Sequence, residues 1–84
     1  MTDDLFPKSM RDRVIDFARR KYLFTSCDLE DYKQTLGHIP GYLRIHREAR
    51  QLAEDGVLKR LTVDEKLMRN FKDTRIAVYE WRGR

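Results

Sequence analysis

Residues 41–60, GYLRIHREARQLAEDGVLKR, decide the fold. At about 100° per residue, Tyr42, Ala49, Leu52 and Ala53 gather around Ile45 on one side of a helix. Leu43, Arg44, Arg47, Arg50, Gln51 and Glu54 fall on the other side. One face suits a core and the other presents three arginines and a glutamine. The spacing predicts a helix from about Pro40 or Gly41 to Asp55, with Pro40 in its first turn. Gly56 is the natural left-handed residue just past the end. The β-branched and apolar content of 57–63 then predicts a strand.

Outward from this helix the chain is short. Its 84 residues make one small domain, and 40% hydrophobic content, with four Phe, four Tyr and one Trp, supplies a single core. On the N-terminal side, Ser9 caps a first helix over 9–21, with Asp12 three residues on as a shortened capping-box acid. Met10, Val14, Phe17, Ala18 and Lys21 recur at its helical spacing. Residues 22–25 break the pattern and read as a short extended segment. Thr25 and Ser26 are alternative caps for a short helix over 27–35, with Asp28, Glu30 and Asp31 near its positive end. Gly37 stops that helix, and His38 lies in the turn that follows.

On the C-terminal side, 64–73 reads as a polar loop. A second strand is expected over 74–81, with Arg75, Ala77, Tyr79 and Trp81 on one face and Ile76, Val78 and Glu80 on the other. The two strands would pair as a hairpin laid over the helices. Residues 1–8 and 83–84 read as tails around a domain of 9–82.

This α+β order resembles the winged helix-turn-helix domain: three helices, a short strand and a C-terminal two-stranded β-hairpin wing. The resemblance rests on three points. Phe24, Thr25 and Ser26 lead into Asp28 and Leu29. Leu36 and Gly37 close the second helix. Leu52, Ala53, Glu54, Asp55, Gly56, Val57, Leu58, Lys59 and Arg60 carry the third helix through its glycine stop into a strand. The resemblance implies double-stranded DNA as partner, with the third helix in the major groove and the wing on neighbouring backbone or minor groove. It assigns groove contact to Tyr42, Leu43, Arg44, His46, Arg47, Arg50 and Gln51. It assigns wing contact to Lys66, Arg69, Asn70, Lys72 and Arg75. The function implied is a small transcriptional regulator, and a homodimer through the N-terminal tail and first helix would cover two half-sites.

Charge placement agrees with a polyanionic partner. Residues 1–40 balance seven basic against seven acidic side chains, whereas 41–84 hold eleven basic and seven acidic, the whole of the +4. A solvated helix face is the competing reading, since Arg44 can pair with Glu48 and Arg50 with Glu54 at i,i+4. Arg47 has no acid at either i±4 position. Leu43, Leu67 and Met68 favour a different function, a module that docks on a protein and modulates a nucleic-acid enzyme or another regulator. RNA stacked on Tyr42 is a third alternative.

No catalytic constellation stands out. Asp28, Glu30 and Asp31 suit a helix start, and no nucleophile or phosphate loop accompanies them. Cys27, His38 and His46 match no metal spacing, and Cys27 reads as a small packed thiol. The expectation is a cytoplasmic protein with no enzyme activity, cofactor, metal or membrane span.

Overall fold

The computed structural model describes residues 9–39 and 41–83. The expected tail 1–8, the placing of Pro40 in a first turn, and the final residue of the expected 83–84 tail lie outside the described residues. The element order is α1 (Met10–Lys21), β1 (Leu23–Thr25), α2 (Ser26–Thr35), a 3-10 turn (Tyr42–Arg44), α3 (Ile45–Glu54), β2 (Leu58–Arg60), α4 (Val63–Met68) and β3 (Val78–Trp81). The domain is α+β, with four α-helices among the described residues where the sequence predicts three.

Local chemistry sets the helix boundaries. Ser9 Oγ accepts the Asp12 N–H at 3.1 Å and opens α1. Thr25 opens α2 with a full capping box: its hydroxyl accepts the Asp28 N–H at 3.1 Å, and the Asp28 carboxylate accepts the Thr25 N–H at 3.0 Å. Gly56 closes α3 at φ 84°, a conformation that costs a β-carbon dearly. Its turn lets Val57 N–H reach the Leu52 carbonyl at 3.0 Å and Gly56 N–H reach Ala53 at 3.3 Å, so two carbonyls otherwise without partners are satisfied.

The sheet is antiparallel, in the order β1-β3-β2. Register pairs Phe24 with Tyr79, Leu58 with Trp81 and Arg60 with Tyr79. Paired residues share a face, so this set lies together. Phe24, Leu58 and Tyr79 are buried there with Val14, Phe17, Leu29, Ile45, Ala49 and Leu52. The helices α1 to α3 therefore cover one face of the sheet. Residues 78–81 alternate as expected, with Tyr79 and Trp81 towards the helices and Val78 and Glu80 away from them.

The segment 61–77 departs from expectation: the strand expected over 74–81 begins only at Val78, and a helix occupies much of the loop expected over 64–73. Thr62 and Glu65 form a second full capping box, with N–H to oxygen distances of 3.2 and 2.9 Å, and they start α4. Val63 therefore belongs to a helix and not to the strand expected over 57–63. The β2–β3 pair exists, but α4 interrupts its connection and β1 makes β3 the central strand. This segment also folds back. Lys59 and Glu80 face each other across the strands on the side away from α1 to α3. Glu65 pairs with Lys59, and Arg69 reaches Glu80 at 2.7 Å, so α4 is tied to that second face. Val78, fully buried, and Leu61, 3% exposed, stand outside the main cluster.

The Lys59–Glu65 pair makes a pH signature. The Lys59 ammonium, helped by the Thr62 N–H, holds the Glu65 carboxyl well below its ordinary 4.5, at about 2. A carboxyl lowered on folding stabilises the fold above its unfolded value. That contribution fades as pH falls from 4.5 towards 2. NMR titration of the Glu65 side chain is expected to give a midpoint near 2. Across this acid range the wild type should lose stability more steeply than Glu65→Gln in urea unfolding. Parallel curves for the two proteins would dismiss the pair.

Candidate nucleic-acid interface

Ile45, Ala49 and Leu52 are fully buried and fix the inward face of α3. The same helix is held from two sides. His46 Nε2 lies 2.8 Å from Glu30 Oε1 on α2. Arg11 on α1 meets Asp55, just beyond α3, at 2.9 Å. His46, and after it Lys33 at 3.3 Å, hold the Glu30 carboxyl below its ordinary range. A turn of chain thus joins α2 to α3, and polar contacts lock their relative orientation.

The opposite face of α3, with the 3-10 turn leading into it, carries the arginines. Arg44, Arg47 and Arg50 are exposed, and none has a side-chain hydrogen bond or ion pair among the described residues. The i,i+4 pairs with Glu48 and Glu54 that could neutralise Arg44 and Arg50 do not close among the described residues. Leu43 projects beside them at 70% exposure. Gln51 is exposed and donates to Asp55 Oδ1 at 3.1 Å, a weak surface contact that a base edge could replace.

Two of the expected groove residues sit differently. Tyr42 is half-buried against the core, with the His38 ring edge-on at 5.1 Å and the Lys33 ammonium 5.8 Å from its ring centroid. His46 is taken up by Glu30. Both build the support of α3 more than its outward surface. The helix also begins later than expected, because a 3-10 turn precedes Ile45 and Gly41 enters it at φ 87°.

The expected wing set divides more sharply. Lys66 is not an outward cation: it is 5% exposed and donates to the Thr74 carbonyl at 2.8 Å. Arg69 is spent on Glu80, on the sheet face turned away from α3. Asn70 holds a left-handed turn at φ 65° after α4. Arg75 is exposed; its backbone N–H, and after it its guanidinium at 3.3 Å, hold the Asp73 carboxyl low. Lys72 is exposed and has no ion pair among the described residues. Cys27, expected as a packed thiol, is exposed.

Sequence reading missed one feature. A cleft of about 850 Å³ runs between the second half of α3 and the ends of β2 and β3, with Arg50, Lys59, Arg60 and Arg82 in its lining. Alternation in the strand could have placed Arg60 on the side of Leu58. Only the crossing of α3 over β2 puts it opposite Arg50.

No group of three metal-ligating side chains occurs among the described residues, and no helix there is long and apolar enough to cross a membrane. No family model, curated protein or solved structure matches this chain.

Proposed function

We propose that this chain is a double-stranded DNA-binding protein of the winged-helix type, a small transcriptional regulator that acts in the cytoplasm by binding, without a reaction of its own. The single observation that carries this reading is the row Arg44, Arg47 and Arg50: three exposed guanidinium groups with no ion pair among the described residues, the first in the 3-10 turn and the other two on α3, whose other face is the centre of the core. A planar, always charged fork suits guanine O6 and N7 as well as phosphate. The α2–turn–α3 unit, with the β2–β3 pair after it, fits a helix-turn-helix with a wing. In this reading the wing is folded back by α4, and Lys72, Arg75 and Asn70 are the members left to meet backbone.

The test begins with random duplex DNA. Binding should appear at low salt and weaken as salt rises. On a duplex selected from a random pool, Arg47→Ala is expected to cost about 1–3 kcal/mol and to relax preference at one base position. An unchanged isotherm on that duplex would remove Arg47 from base reading.

A second reading has its own observation. Val63, Leu67 and Met68 on α4 are 53%, 55% and 83% exposed, an apolar stripe pointing away from the sheet. Such a stripe favours docking on a protein. Absence of duplex binding even at low salt would shift the proposal to that module.

A further inference from the structure

We infer that the cleft between α3 and the ends of β2 and β3 is a phosphate site, and that the phosphate it takes is a backbone phosphodiester of the duplex that α3 enters. The inference rests on the DNA reading above and adds a second, sequence-blind contact to it.

The cleft has two cationic walls. Arg50 comes from α3 and Arg60 from the end of β2. Both are exposed, and neither has an ion pair among the described residues. Tyr79, the cross-strand partner of Arg60, lies on the same face of the sheet as Arg60. Burial pushes the Tyr79 phenol up, and Arg60 and then Arg50 oppose that shift, so both guanidinium charges are felt at the same oxygen. The Tyr79 hydroxyl has no hydrogen-bond partner among the described residues. The cleft is open beside Gly56, where nothing lies within 4 Å of the position a β-carbon would take.

The charge balance favours an anion. Lys59 and Arg82 also line the cleft, but they are engaged by Glu65 and by Glu80, the latter at 3.6 Å. Glu54 is the acid in the lining. The carboxyl end of α3 adds about half a negative charge, and its turn already satisfies two of its carbonyls. Arg50 and Arg60 together outweigh these terms. Two guanidinium forks can bind one phosphate through several short charge-assisted hydrogen bonds. A phosphodiester contact carries no base information, so it would fix the register of α3 without choosing the sequence.

A free phosphate ester would offer the same oxygens, and the experiment separates the two sources. The full chain is titrated with a random-sequence duplex and, separately, with sodium pyrophosphate, following the arginine Nε–Hε signals. Salt dependence of duplex binding is measured for the wild type, Arg60→Gln and Arg60→Lys. The duplex should shift the Arg50 and Arg60 signals. Arg60→Gln should reduce the slope of log K against log salt by about 0.9, roughly 8-fold in affinity near 0.1 M salt. The factor should be equal on unrelated sequences, and Arg60→Lys should recover most of the slope. Pyrophosphate shifts at Arg50 and Arg60 without any duplex binding would keep the phosphate site, assign it to a free ester and sink the DNA reading. Duplex binding with an unchanged slope in Arg60→Gln would overturn the site and leave the DNA reading standing. Silence with both ligands would overturn both.

Discussion

Replacing Phe24 with alanine is expected to leave this domain largely unfolded at 37 °C. Phe24 is 1% exposed and sits on β1, where it bridges the sheet and the helices. Its ring meets Phe17 edge-on at 5.1 Å and stacks on Tyr79 at 5.5 Å. Phe17 in turn stacks on Tyr32 at 4.5 Å. One aromatic chain thus ties α2, α1, β1 and β3 together. A buried Phe→Ala change removes the apolar transfer term and leaves a cavity, in all about 3–5 kcal/mol. A domain of this size has about 4–13 kcal/mol in total. Urea unfolding followed by circular dichroism should show the midpoint collapse, whereas Phe24→Leu should keep much of the stability because most of the volume remains. A loss below about 1 kcal/mol for Phe24→Ala would show that the sheet is not anchored through this ring.

The second large effect concerns binding. On the DNA reading, replacing Arg44, Arg47 and Arg50 together with alanine should abolish detectable duplex binding near physiological salt. If each guanidinium neutralises one phosphate equivalent, the slope of log K against log salt falls by about 2.7, which near 0.1 M salt is about 500-fold. Stability should hardly change. The three side chains are exposed and free of ion pairs among the described residues, and alanine is the better helix former. The variant should therefore melt like the wild type while its anisotropy signal with labelled duplex disappears. Retained affinity with a wild-type slope would show that the arginine row is a solvated face.

Much of the frame was legible because it depends on neighbours along the chain. The i, i+4, i+7 spacing of Ile45, Ala49 and Leu52 needs no partner to define a buried stripe, and all three are fully buried. Ser9 and Gly56 act through backbone groups a few residues away, and both boundaries appear as expected. The extended segment at 22–25 is β1, from Leu23 to Thr25.

The misreadings share another cause. Over 64–73, polar composition reads as an open loop, although Thr62 and Glu65 have the spacing of a capping box that discloses α4. Lys66 reads as an outward cation because lysine is rarely buried. Its ammonium turns inward because the segment folds over the sheet and offers the Thr74 carbonyl. His46 lies at the edge of the arginine face on a helical wheel, but Glu30 claims it; Tyr42 lies on the apolar side of the wheel and packs at the core margin, so only the resemblance makes it a groove residue.

The sequence by itself determined α1, the extended segment before α2, α2 itself, the glycine stop of α3 and which face of α3 is apolar, since capping, glycine turns and periodicity are local interactions within about one helical turn. The tertiary structure alone decided which charges remain unspent. Arg69 and Glu80 are eleven residues apart, and Glu30 and His46 sixteen. Their pairing follows from how the layers stack. The same stacking leaves Arg44, Arg47 and Arg50 without ion pairs among the described residues, and it brings Arg60 from another strand to face Arg50 across a cleft. An ion pair is a statement about distance in space, and spacing along the chain does not fix that distance beyond the nearest turns.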